Sequence, residues 1–319
     1  MIYAIACVAA FLIMFVVTPH LIRLANKTGY MEKPRPDLDR KLHKEPKPYL
    51  ASLGMFGGFW LVYLIFTRAF EARTVILFCS SLLILLIGML DDWYKISGKD
   101  LRALPKFIIQ LSACVAVYFA GFVFMGVNNP FNDSYIIFPV VLQFLLTVFW
   151  IFGITTVINF TDGMDGLSGG IVCISATTMF VVALVMGQTH SAMKSAVLVG
   201  ICIGYLKYNR FPSKILMGDA GATFLGFMLA IIALDGAFKQ ATVISIFVPV
   251  LAFGVPIFDN LYVIVKRIKE GRPFYIGDAT QAHFRLLSHG LTQRQTVYIL
   301  YLISICLNLS AVILFMIRI

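Results

Sequence analysis

The chain has 319 residues, of which 60% are hydrophobic and 13% charged, and a mean hydropathy of +0.88. Soluble domains carry about 25% charged residues, so this composition excludes an ordinary water-soluble globule. The net charge of +10 sits in short loops between apolar runs, which excludes the soluble basic domain that a nucleic-acid partner requires.

Ten apolar runs approach the roughly 20 residues that span a bilayer. In chain order they are residues 2–24, 51–70, 74–90, 104–125, 136–157, 166–186, 192–206, 220–237, 241–265 and 296–317. No small-residue cleavage site follows the first run, so it is expected to be a span and not a removed leader. Pro249, Gly254 and Pro256 interrupt the ninth run and predict a kink there, because proline removes a helix donor. The expected fold is all-α: a polytopic integral membrane protein of about ten transmembrane helices, one domain over 1–319.

Basic residues predict the orientation. With ten spans, alternate loops hold 21 of the 26 Lys and Arg, in segments 23–47, 95–106, 207–214 and 266–294. The other side holds Arg68, Arg73, Lys194, Lys239 and Arg318. By the positive-inside rule the first group is cytoplasmic and both termini lie outside, in a plasma (inner) membrane. Cys7, Cys79, Cys114, Cys173, Cys202 and Cys306 are scattered singly in apolar runs, which reads as buried packing and not as disulfides or a metal site. Gly54, Gly57 and Gly58, and likewise Gly200 and Gly204, put small residues on helix faces for close packing. No internal repeat is evident, against a transporter built from inverted halves.

The chemistry-bearing residues fall where apolar runs meet the basic side. Carboxylates are costly at the centre of a bilayer and tolerable at its edge. Asp91, Asp92, Asp162, Asp165 and Asp219 on one edge, beside Lys and Arg, suit a metal ion and a phosphorylated substrate. Asp91 and Asp92 end the third run, and adjacent residues on a helix diverge by about 100°, so they are expected to serve different partners. Acids at a helix C-terminus also oppose the macrodipole. Lys106 opens the next run, within reach of phosphate or snorkelling to the interface. The third loop is Asn159-Phe-Thr-Asp162-Gly-Met-Asp165-Gly166, with glycines for close backbone approach and amide and carboxylate groups for sugar or base hydrogen bonds. In the fourth loop Asn209 precedes Met217-Gly218-Asp219. There Asp219 starts a helix, either capping it or holding a cation beside phosphate. The fifth loop carries Asp278, His283 and Arg285. The spacing of His283 fits neither a zinc signature nor a triad, but it suits donation to a diphosphate, and Arg285 suits a helix cap or phosphate.

Taken in order, Asp-Asp-x-x-Lys, Asn-x-x-Asp-Gly-x-Asp-Gly, Asn-x-x-Pro…Met-Gly-Asp, Pro-x-x-Asp and Gly-Arg-x-Phe…His resemble the polyprenyl-phosphate N-acetylhexosamine-1-phosphate transferases, the MraY/WecA/TagO superfamily. The resemblance runs from about Arg40 to Arg294. Arg40-Lys41-Leu-His43 and Pro46-x-Pro48 are similar to the opening motif of the WecA/TagO-like branch, with Tyr49–Leu53 an insertion-like stretch before Gly54. The histidine clusters of the family are reduced here to His283 and Arg285, and Thr156 stands where an Asn is usual.

What the resemblance implies is transfer of a HexNAc-1-phosphate, GlcNAc-1-phosphate by preference, from a UDP-sugar to undecaprenyl or another polyprenyl phosphate, releasing UMP. The cofactor implied is Mg²⁺, with Mn²⁺ an alternative, and the active site is cytoplasmic. Asp219 would ligate the metal, with Asp91 beside it, and Asp91 and Asp92 would ligate metal or deprotonate the lipid phosphate. Lys95 and Lys106 would hold phosphate. Asn159, Asp162, Asp165, Asn209, Arg285 and His43 would bind substrate, and His283 would contact the diphosphate, its charge expected to change between about pH 5 and 8. Partners implied are the nucleotide sugar, the polyprenyl lipid and the bilayer, with a homodimer admitted. An MraY-like phospho-MurNAc-pentapeptide transferase is the near alternative. A secondary transporter or flippase using the acids for coupling is the alternative of another class.

Overall fold

A chain this apolar must satisfy its backbone internally, which leaves helices as the economical solution. The computed structural model describes residues 1–34, 45–99, 101–128, 134–236, 243–271 and 280–317. His43, Arg272 and Asp278 lie outside them. The elements in order are α1 (Ile2–Thr28), β1 (Met31–Glu32), β2 (Lys47–Pro48), α2 (Ala51–Thr67), α3 (Ala72–Ile96), α4 (Ala103–Phe119), β3 (Gly126–Asn128), β4 (Tyr135–Ile137), α5 (Val140–Thr161), α6 (Leu167–Val185), α7 (Thr189–Asn209), α8 (Gly218–Asp235), α9 (Val243–Ala252), α10 (Gly254–Lys269), α11 (Ala282–Ser288) and α12 (Gln293–Met316). The strands form two short antiparallel pairs, β1 with β2 and β3 with β4.

Each expected apolar run contains helix, but among the described residues fewer than ten helices meet the length and apolarity of a span. Six do: α1, α3, α5, α6, α8 and α12. The pair α9–α10 adds a seventh if counted as one span bent by 81°. At 17 residues each, α2 and α4 are short, and α7, with 21 residues, falls below the required hydropathy. The fifth expected run begins inside β4, so its helix starts only at Val140. Within Tyr49–Leu53, Tyr49 and Leu50 are buried and Ala51 starts α2.

The centre of the bundle is α8, which packs against α2, α3, α5, α6 and α7. Of its apolar window 94% is buried, against 28% for α1 and for α12. A helix apolar all round belongs in a core. The peripheral helices instead expose large apolar side chains: Ile5, Val8, Leu12 and Val16 on α1, Phe149 on α5, Leu302 and Leu309 on α12. Apolar surface on this scale requires lipid, and the protein is a multi-pass membrane protein. Gly200 and Gly204 of α7 lie against the α1 backbone, where a Cβ would crowd Cys7 and Phe11 carbonyls.

Two polar arrangements brace the bundle away from the loops. The predicted kink falls between Ala252 and Gly254. The carbonyl it frees on Ala252 accepts from Ser175 Oγ of α6 at 2.7 Å and from Asn308 Nδ2 of α12 at 3.0 Å. At the C-terminal end of α8, Asp235 pairs with buried Lys194 at 2.6 Å and with Arg73 at 2.8 Å, and Arg73 lies 4.0 Å over the Phe122 ring.

Candidate active site

Four helix ends converge at the opposite end of α8. The last turns of α3 bring Asp91, Asp92 and Lys95, the first turn of α4 brings Lys106, the last turn of α5 Asn159, and the first turn of α8 Asp219. Asp91 and Asp219 share two ammonium groups. Lys95 Nζ lies 2.7 Å from Asp219 Oδ1 and 3.0 Å from Asp91 Oδ2. Lys106 Nζ lies 2.9 Å from Asp91 Oδ2 and pairs also with Asp219 Oδ2. Asn159 donates from Nδ2 to Asp219 Oδ2 at 3.3 Å. Two carboxylates and two ammoniums in partial burial form a network in which each group faces groups of opposite sign.

Asp92 faces elsewhere. Fully buried, it accepts from the Asp219 N–H at 2.9 Å and the Ala220 N–H at 3.2 Å. These are free donors at the start of α8, where a carboxylate also meets the positive end of the helix dipole. Asp219 therefore does not cap its own helix; Asp92 from α3 does so. Gly218 permits the arrangement, since its φ is +67° and a Cβ would overlap the Asp92 carboxylate. The adjacent acids thus diverge, one into the lysine network and one onto the backbone that carries Asp219.

The third loop is tied down by its neighbours. Asp165 accepts from Ser213 N–H at 2.9 Å, from Ser213 Oγ at 2.8 Å and from Lys47 Nζ at 3.1 Å. Asn209 is buried, accepting the Gly166 N–H at 2.9 Å and donating to the Ile215 carbonyl at 2.8 Å. The Tyr301 hydroxyl donates to the Gly166 carbonyl. Asp165 and Asn209, expected to touch substrate, are in this state bound to protein groups that shape the loop. Asp162 is half-buried at the end of α5. Residues that sequence reasoning did not single out include Ser213, Tyr301 and Tyr49. The buried Tyr49 phenol is pushed well above its usual range by burial and by the charges of Asp92, Asp219, Asp162 and Asp91. A Ser or Tyr in a polar loop carries no distinguishing signal, whereas Lys47 was legible only as one of several basic residues.

His283 enters from α11 against this loop. It is buried, its Nε2 has no hydrogen-bond partner among the described residues, and a Cβ on Gly163 would overlap that nitrogen. Burial lowers its pKa from 6.5 to about 4. The expected charge change between pH 5 and 8 is therefore corrected: the imidazole is neutral across that range, because desolvation disfavours the cation. Arg285 does not face the lysine network. Its guanidinium pairs with Asp259 at 2.9 Å and stacks 4.0 Å over the Tyr262 ring.

Among the described residues no three acids or histidines group as a ready-made metal cage. Mg²⁺ is usually bound by one or two carboxylates together with substrate phosphates and water. Asp91 and Asp219, converging on the same two ammoniums, meet that requirement in number and in hard-oxygen chemistry.

Residues 74–237 match the model of glycosyl transferase family 4. The chain is 34% identical over 315 residues to the probable undecaprenyl-phosphate N-acetylglucosaminyl 1-phosphate transferase of Bacillus subtilis, covering 97% of this chain and 84% of that protein. It is 30% identical to the decaprenyl-phosphate N-acetylglucosaminephosphotransferase of Mycobacterium tuberculosis, covering 94% and 79%. It is 25% identical to the undecaprenyl-phosphate alpha-N-acetylglucosaminyl 1-phosphate transferase of Escherichia coli, covering 88% and 75%. With the matched segment running from α3 to just past α8, and so through Asp91, Asp92, Asn159 and Asp219, the chain belongs to glycosyl transferase family 4.

Proposed function

We propose that the protein transfers N-acetylglucosamine-1-phosphate from UDP-N-acetylglucosamine to undecaprenyl or a related polyprenyl phosphate, releasing UMP. A lipid phosphate oxygen forms a bond to the phosphorus bearing the sugar while the bond from that phosphorus to UMP breaks. The observation that carries the reading is the Asp91–Lys95–Lys106–Asp219 network at the end of an apolar bundle. Two polyanions must meet there, and Lys95 and Lys106, each already shared between two acids, are the groups that lower their repulsion. Asp91 and Asp219 hold Mg²⁺, or Mn²⁺, which supplies Lewis-acid polarisation and charge neutralisation when bound. Asp92 sets the backbone of Asp219, and Asn159 restrains its carboxylate. Neutral His283, whose Nε2 beside the third loop has no partner among the described residues, is the donor for the diphosphate.

The ten apolar helical runs form ten spans, with both termini outside and the site facing the cytoplasm, as the loop charges support. A transporter is disfavoured because its coupling acids belong near mid-span, whereas these lie at helix ends. The deciding experiment uses purified protein, undecaprenyl phosphate and a panel of UDP-GlcNAc, UDP-GalNAc and UDP-MurNAc-pentapeptide, with and without Mg²⁺. The mass of the lipid product and UMP release are the readouts. A GlcNAc-phosphate adduct is expected. Substrate movement in proteoliposomes without UMP release would replace the reading with transport.

A further inference from the structure

His283 reaches Gly163 of the third loop from a short helix. That helix, α11, has only seven residues, too few to be stable alone. Its anchor is Asp259 of α10, on the C-terminal side of the bend between α9 and α10. Both Asp259 oxygens accept the Ala282 N–H, at 2.8 and 2.9 Å, and Oδ1 also accepts from Arg285 at 2.9 Å. One carboxylate thus grips the first residue of α11 and the side chain one turn later, on either side of His283. Tyr262, one turn along α10 from Asp259, stacks on the same Arg285. The position of Asp259 is itself set by the bend, whose free carbonyl is clamped by Ser175 and Asn308.

We propose that Asp259 is a positioning residue for the transfer reaction. It docks α11 so that His283 Nε2 is presented to the third loop at Gly163. The proposal rests on the transferase reading above, and wild-type turnover of UDP-GlcNAc with undecaprenyl phosphate tests that reading separately.

The experiment is a double-mutant cycle in the full-length protein. Asp259→Ala is expected to lower kcat/KM about 100-fold, the order of loss that follows a misplacement of about 1 Å. In a His283→Ala background the same change should alter the rate less than about 2-fold, because two residues acting through one group are not additive. Asp259→Asn, which keeps one acceptor for the Ala282 N–H, should restore part of the rate. Hydrogen exchange of the 282–288 amides should quicken in Asp259→Ala. Multiplicative losses in the double variant, an unchanged rate in Asp259→Ala, or unchanged exchange in α11 would each overturn the proposal. If the Ala variant does not fold, the cycle is run with Asp259→Asn, and full additivity there overturns it equally.

Discussion

The division of labour between Asp91 and Asp92 makes a prediction that can be worked through. Asp92 accepts two backbone N–H groups in a fully buried position. Asp92→Ala leaves both donors unpaired, at about 1–3 kcal/mol each. It also removes a carboxylate from a helix N-terminus, a further loss of about 0.3–2 kcal/mol. The expected cost is therefore roughly 2–8 kcal/mol of stability, together with a displaced Asp219. Asp92→Asn keeps one acceptor and should lie between Ala and wild type in both stability and rate. Asp91→Asn loses only the shared lysine contacts, so it should unfold near the wild-type midpoint while turnover collapses. The assay is parallel: unfolding midpoint in detergent and kcat with UDP-GlcNAc for each variant. If Asp92→Ala unfolds like wild type yet has no turnover, the capping argument fails and Asp92 touches the reacting groups.

Other outcomes follow from the same geometry. Asp219→Asn should abolish turnover and weaken Mg²⁺ dependence without unfolding the protein, and retained activity above roughly 10% would remove it from the ligand set. His283→Ala should lower kcat/KM by about 10- to 1000-fold, with His283→Gln recovering part of it and His289→Ala, at the exposed end of α11, close to wild type. Since burial lowers the His283 pKa from 6.5 to about 4, the unfolded state binds the extra proton between those values, so this group's contribution to stability is present above about pH 6.5 and is lost as pH falls towards 4. His283→Gln should therefore flatten that acid-side loss while leaving the kcat/KM profile between pH 6.5 and 8 unchanged in shape, and a limb that disappears in that range would show a charged imidazole. Lys194→Met, at the far end of α8, strands part of the Asp235 charge and should lower stability by up to roughly 3–5 kcal/mol without altering KM for UDP-GlcNAc. A changed KM there would mean that the two ends of α8 communicate.

Much of the molecule was legible in the chain itself. Apolar runs of near-bilayer length dictate helices, because lipid leaves backbone groups no other partner. Pro249, Gly254 and Pro256 marked the bend, and Gly200 and Gly204 marked close helix contact. The helical periodicity also separated Asp91 from Asp92 in direction. Sequence could not say where each acid pointed. That depends on α8 arriving beside α3, which turns Asp92 into the cap of a helix more than a hundred residues away and leaves Asp219 for the lysines. It likewise depends on α10 meeting α11, which gives Arg285 to Asp259 and buries His283 as a neutral imidazole. Nor could composition rank the helices: α8 is no more apolar than α1, yet α8 is enclosed by five neighbours and α1 faces lipid. Local pattern decides which segments are helices and where they break, since those are short-range matters of backbone and hydropathy. Burial, pairing and protonation arise from contacts between segments distant in the chain, and only the packed structure sets them.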